Sequence, residues 1–236
     1  MGSFLSILDP LRDGLYHLLL AFQGVLAPLV GSHSAWLAIV ALTVTVRVML
    51  LPLALMQWRA TRAMQALAPQ VRELRRQHAD DPSRLRSELA KLYADHNARP
   101  LAGCLPVLLQ APVMVALFRV LASPRLAGGP NILLSQRFFV VSLAAQWTSL
   151  GSVAAMLASP PGLLVLALLI AIAATSAAAQ RLSPQPAGQE QPARALVRLL
   201  PVLPAVFGVG LPIAVLLYWL TTNLWTLGQQ YVLLRL

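Results

Sequence analysis

Apolar runs of roughly 20 residues recur along this chain, which is the length a helix needs to cross a hydrocarbon core of about 30 Å. Residues 35–56, 101–121 and 161–180 read this way, and a proline- and glycine-broken apolar region fills 196–233. Composition agrees. Of the 236 residues 58% are hydrophobic and 11% charged, against roughly 25% charged in a soluble domain. The expected class is an all-α, polytopic membrane protein.

The first run carries an anomaly. "ALTVTVRVMLLPLAL" places Arg47 near the middle of an apolar stretch from Trp36 to Met56. A cation at the centre of a membrane helix costs roughly 2.5–3.5 kcal/mol on insertion scales. Arg47 stands nine residues from Met56, about 13 Å at helical rise and deep for a snorkelling side chain. Thr43 lies one turn away on the same face.

The formal charge of +10 comes from seventeen arginines and Lys91 set against eight acids. Residues 57–99 hold nine of the cations and five of the acids, Glu73, Asp80, Asp81, Glu88 and Asp95. Met64, Leu67, Val71 and Leu74, then Leu85, Leu89 and Leu92, repeat at helical spacing, with "ADDPS" between them. Asp81 suits an N-cap and Pro82 the first helical position. This predicts a helical hairpin with one apolar seam and a charged exterior. No glycine stands between Ser32 and Ala102, so helix is expected to leave the first span without a break, with Pro69 kinking or restarting the first arm.

The predicted layout is an amphipathic outer-surface helix in 1–33, a first span in 34–56, a cytoplasmic hairpin in 57–99 and a second span in 100–122. An outer loop, 123–160, follows, with 138–158 lying in the interface. A third span (161–180), a cytoplasmic loop (181–195), a fourth span (196–210) and a fifth (212–233) complete it. In the first helix Leu11, Leu15, Leu18, Phe22, Val25 and Leu29 share one face, and Arg12, Asp13, Tyr16, His17 and Gln23 the other. The start lacks a charged n-region, so a cleaved signal peptide is not expected. Loop charge orients the chain. The hairpin, Arg181, Arg194, Arg198 and Arg235 place thirteen cations on one side, against Arg12, Arg125 and Arg137, with Arg119 near the boundary. Cytoplasmic loops carry the excess of arginine and lysine, which puts the N-terminus outside and the C-terminus in the cytoplasm. A sixth crossing at 138–158 would spoil that sorting.

Catalytic patterns are missing. No glycine-rich loop ends in Lys-Ser or Lys-Thr, the four histidines lack metal-ligand spacing, and no acid lies in a clear span. Ser176 has no histidine in any span to activate it. No enzyme activity, metal or cofactor is expected, and the lone Cys104 reads as a packing residue. What the spans do hold is a scatter of polar groups: Arg47, Thr43, Gln110, Gln180, Thr221, Thr222, Asn223, Gln229 and Gln230. Such groups face a bundle interior or a wet cavity, or they bond helix to helix. Both readings stand at this level.

Three segments now identify a resemblance. "NARPLAGCLPVLLQAPVMVALFRVL" and "LPIAVLLYWLTTNLWTLGQQYVLL" resemble the signature segments of the YidC/Oxa/Alb family of membrane protein insertases. "VRVMLLPLALMQWRATRAMQALAPQVREL" is similar to that family's first core span running into its cytoplasmic hairpin. The likeness covers about residues 10–235 and is closest to the short, actinobacterial type. It implies five core helices around a groove that is open to cytoplasm and lipid and closed outside. The groove cation falls on Arg47, the groove glutamine on Gln110 and the Tyr-Trp pair on Tyr218 and Trp219. It also implies nascent membrane proteins as substrates, the bacterial cell membrane as location, and ribosome, signal-recognition pathway and Sec translocon as partners through 57–99. Arg99 departs from the family's usual asparagine. A basic tail and a large outer domain found in some members have no counterpart, which leaves ribosome contact to the hairpin and the 181–198 loop. Two rivals are an anion channel or transporter built on Arg47 and a structural Sec-associated subunit.

Overall fold

The computed structural model describes residues 7–96, 98, 105–126, 128–146, 154, 157–182 and 208–235, with side chains in all of these but 105–110. Helix α1 (Asp9–Val30) starts with Asp9 in its first turn and a proline at its N-terminal positions, and carries Pro28 inside. Gly31 ends it at φ +55°, a conformation that a residue without Cβ adopts freely. A single 3₁₀ turn, Gly31–His33, leads into α2 (Ser34–Met49).

The packed face of α1 differs from the expected stripe. Leu15, Tyr16 and Leu19 are buried, whereas Leu18, Val25 and Leu29 are exposed. Tyr16 was assigned to the polar side, yet its ring is buried while its hydroxyl takes the amide of Ile132 at 3.4 Å. A tyrosine has an apolar body and a polar tip, so alternation of hydrophobic letters misplaces it.

The unbroken helix expected out of the first span is corrected: it stops at Leu50 and restarts as α3 (Leu51–Ala66). At Leu67 it stops again and restarts as α4 (Ala68–Gln77), as expected at Pro69. Each new helix has a proline among its first residues, Pro52 and Pro69. Proline lacks the amide hydrogen and its ring collides with the carbonyl four residues back, so the preceding turn cannot continue.

The chain divides into two compact units, Met1–Val48 with Ala111–Leu182 and Leu199–Leu236, and Met49–Gln110 with Ser183–Arg198. In the second, α4 is followed by α5 (Pro82–Asp95). Asp81 caps α5, accepting from the amides of Ser83 at 3.1 Å and Arg84 at 2.9 Å. Leu67, Val71 and Ala98 are buried, with Met64, Leu89, Leu92 and Tyr93 packed on them. Leu74 and Leu85, nearer the turn, are only half-buried.

In the first unit, α1 and α2 pack with α6 (Leu105–Ala122), α8 (Pro160–Leu182) and α9 (Ile213–Leu233) around one apolar core. Asp9–Met49 and Pro160–Leu182 are long and apolar enough to cross a membrane. Between α6 and α8 lie two short antiparallel hairpins, β1 (Arg125–Leu126) with β2 (Gly129–Pro130) and β3 (Arg137–Phe138) with β4 (Val141–Ser142), separated by α7 (Ile132–Ser135). Buried Asn131 joins them to α6. It donates to the carbonyls of Val120 at 2.7 Å and Ser123 at 3.0 Å and accepts from Leu133 at 3.2 Å.

The hairpin strands and the turn after them occupy 137–146, so the first part of the 138–158 segment is not helical. Its backbone has a different task. Ile213 N–H donates to Ala145 O at 3.0 Å and Ala214 N–H to Leu143 O at 3.1 Å. The first amides of any helix lack partners within it, and Pro212 offers α9 no side-chain cap. The loop supplies what the helix lacks.

Arg119, placed by sequence near the outer boundary, pairs with Asp9 at 2.8 Å; Arg12 meets Asp9 at 3.2 Å and Asp13 at 2.7 Å. Acid in a first turn and base in a last turn both suit the helix dipole. The expected fourth span, residues 196–210, lies outside the described residues as far as 207, as do most of the 181–195 loop, Arg99 and Cys104. At Gly208 an added Cβ would meet Leu169 Cδ2 at 2.6 Å.

Candidate functional site

The break at Leu50 changes the surroundings of Arg47. The residue sits in the last turn of α2, one turn before Pro52, whose missing amide hydrogen leaves the carbonyl four residues back without its helical donor. Arg47 is half-buried. Among the described residues no carboxylate comes within ion-pairing distance of it, since the ion pairs formed there involve Arg12, Arg76, Lys91 and Arg119.

Tyr218 on α9 interacts with Arg47 electrostatically. Ile39 and Leu42 of α2 share a core with the buried run from Ile213 to Tyr218. Trp219 is half-buried and packs on that core. Further along α9 the polar residues fall at helical intervals. Thr222, one turn past Tyr218, Asn223, Thr226 and Gln229 are all half-buried. This stretch is the reason α9, although 21 residues long, is less apolar than α8.

The candidates differ in what they have left to offer. Thr43 is buried and its hydroxyl donates to the Ile39 carbonyl at 2.6 Å, so its proton is already spent within α2. Asn223 Nδ2 donates across to α8, to Ser176 Oγ at 2.7 Å and the Ile172 carbonyl at 3.4 Å. That is a helix-to-helix bond of the kind that joins membrane helices. Gln229 Oε1 accepts from Trp225 Nε1 at 3.1 Å within α9. Gln180, a turn beyond Ser176 on α8, is half-buried and has a polar contact of its own. Gln110 lies in α6, but its side chain is outside the described residues.

The structure therefore brings Arg47, Tyr218, Thr43 and the α9 stripe into one unit, and it splits the polar set by role. Arg47 has no carboxylate partner among the described residues, while Asn223, Thr43 and Gln229 are engaged internally. Sequence reasoning missed Ser176 as the partner of Asn223; its only signal was helical spacing, with Ile172, Ser176 and Gln180 four residues apart.

Two kinds of similarity accompany this geometry. Residues 25–236 match the family described as 60Kd inner membrane protein. The whole chain is 32% identical to a membrane protein insertase YidC of Streptomyces avermitilis, of which it covers 60%. A YidC of Mycolicibacterium paratuberculosis is 32% identical over 89% of this chain and 69% of that protein. The chloroplast inner membrane ALBINO3-like protein 2 of Chlamydomonas reinhardtii is 33% identical over 85% of this chain and 50% of that protein. The chain thus spans between 50% and 69% of the length of these relatives.

Proposed function

The chain belongs to the YidC/Oxa/Alb family of membrane protein insertases, and on that premise we propose that it is a non-enzymatic insertase and membrane chaperone of the bacterial inner membrane. In this reading five spans, N-terminus outside and C-terminus in the cytoplasm, surround a hydrated groove open to the cytoplasm and the lipid. Arg47 projects its charge into the groove beside Tyr218, with Gln110, Gln180, Thr222 and Gln229 as polar lining. An acidic or polar tail of a nascent membrane protein enters the groove, is held there by Arg47 and crosses, and its apolar helix then partitions into lipid. The basic hairpin 57–99 receives the substrate from ribosome, signal-recognition pathway or Sec translocon.

One observation supports the reading: a half-buried arginine that pairs with no carboxylate among the described residues, in one unit with a stripe of polar groups. A structural arginine in lipid is paired or bonded to neighbours. One left uncompensated is set up to receive a charge from outside the chain. That no acid among the described residues pairs with it also favours capture of anionic segments over transport of cations.

The test is site-specific photocrosslinking. A photoreactive residue at Arg47 or Gln110 is expected to capture stalled nascent chains through their translocated tails, and one at Val140, in the outer hairpin, to give no such product at that stage. Equal yields at all three positions, or none at Arg47 and Gln110, would remove the groove from the mechanism. Ion flux through purified protein in liposomes without substrate would instead favour the anion channel.

A further inference from the structure

The β3–β4 hairpin, Arg137–Phe138 paired with Val141–Ser142, turns through Phe139 and Val140. Phe139 stands at φ +53°, the one described non-glycine residue with positive φ. A two-residue hairpin loop with positive φ only at its first position is the turn in which glycine is preferred. An aromatic residue held there is strained, and such strain persists where the surroundings demand it.

The surroundings are aromatic. The Phe139 ring lies 6.4 Å from Trp36 and nearly parallel to it (24°), 5.9 Å from His33 and 4.8 Å from Phe138, and Trp36 meets Phe138 edge-on at 5.3 Å. Trp36 donates to His33 at 3.3 Å, which fixes the indole. These contacts orient Phe139 without hiding it. It remains 65% exposed and Val140 74%. A folded chain has no reason to strain its backbone to hold an apolar tip in water. It has one if the tip is not in water.

We propose that the Phe139–Val140 tip is a lipid anchor that sits at the boundary between headgroups and acyl chains of the outer leaflet. Three observations select lipid over protein as the occupant. The tip stacks on Trp36, in the first turn of α2, where a span beginning at Ser34 meets the interface and where tryptophan concentrates. The strand base next to the tip carries exposed Arg137, a partner for headgroup phosphates when the ring points into the acyl layer. Val25 and Leu29 of α1, just before the Gly31–His33 turn in sequence, are exposed apolar residues as well. The anchor would hold the turn between α1 and α2 at a fixed depth. The proposal rests on reading α2 as a membrane span and is independent of insertase activity.

Spin labels at Phe139→Cys and Val140→Cys, in a Cys104→Ser background, report depth by collision with oxygen against a water-soluble nickel complex. Purified full-length protein is placed in vesicles of phosphatidylethanolamine and phosphatidylglycerol, with Ser135→Cys as the aqueous control. The labels at 139 and 140 are expected to favour oxygen and the label at 135 the nickel complex. A second variant, Phe139→Gly, relieves the turn and removes the ring; with it the label at 140 is expected to shift toward water while the fold is kept. Labels at 139 and 140 as wet as that at 135 would overturn the proposal. So would wet labels in pure vesicles that become protected only in native membranes, since that outcome means a protein partner. An unmoved label at 140 in Phe139→Gly also overturns it. Failure of the unchanged protein to insert substrates, with the depth profile intact, would count against the insertase reading alone.

Discussion

Replacing Arg47 by alanine separates charge capture from structural support. The guanidinium is half-buried and pairs with no described carboxylate, so its removal orphans no acid and should shift the thermal midpoint in detergent little. Its effect on a substrate is another matter. An incoming carboxylate 4 Å away would gain about 4 kcal/mol at an effective dielectric near 20. The carboxylate also loses water on entry, and that desolvation offsets much of the attraction, leaving on the order of 1–2 kcal/mol per engaged acid. At roughly 1.4 kcal/mol per factor of ten this corresponds to about a five- to thirtyfold loss of insertion rate. The assay is insertion into vesicles carrying Arg47→Ala, Arg47→Lys or the unchanged protein, with substrates whose tails differ only by Asp→Asn. Arg47→Ala should slow the acidic tails and leave the neutral ones close to normal. Arg47→Lys, which keeps the charge and loses the fork, should be milder. If Arg47→Ala slows both tails equally, or the protein unfolds, Arg47 is a structural residue and the capture argument fails.

Asn223→Ala removes the bond between α9 and Ser176 and should cost about 0.5–1.7 kcal/mol of stability in detergent; Ser176→Ala should cost a similar amount, and the double variant little more than either single one. Asp81→Ala deletes the cap of α5 and should cost about 1 kcal/mol locally, read as faster amide exchange at Ser83 and Arg84. The Glu73 carboxyl is held below its ordinary range by hydrogen bonds from Arg76 and Gln77, and Glu88 by Lys91. Their folded values are depressed, so the support they give α4 and α5 is present above the ordinary carboxylate range and fades as pH falls through the lowered values. Amide exchange in 73–92 should accelerate in that acid window, and Glu73→Gln should remove its share of the acceleration.

Much of this fold is written in patterns that local physics can read. The apolar run of 161–180, the Asp81-Pro82 cap and the Leu67–Val71 seam each depend on neighbours within a turn or two, and each is found in the structure. Arg47 was legible as a candidate for the same reason: a charge in a long apolar run is costly wherever that run packs. What the letters could not supply are relations between distant segments. Proline at 52 permits either a kink within a helix or a new start, and only the packed chain selects the restart that sets Arg47 at a helix end. The pairing of Asn223 with Ser176 joins residues 47 positions apart, and helical spacing gives every polar residue of α9 the same appearance. Tyr16, read as polar, is buried because Ile132, 116 positions away, offers its amide to the hydroxyl. The segment 138–158, read as interfacial, holds in its described first part a hairpin and a turn whose carbonyls complete α9. Which acceptor meets which orphaned amide is decided by proximity in space, and that proximity is created only when the helices have assembled.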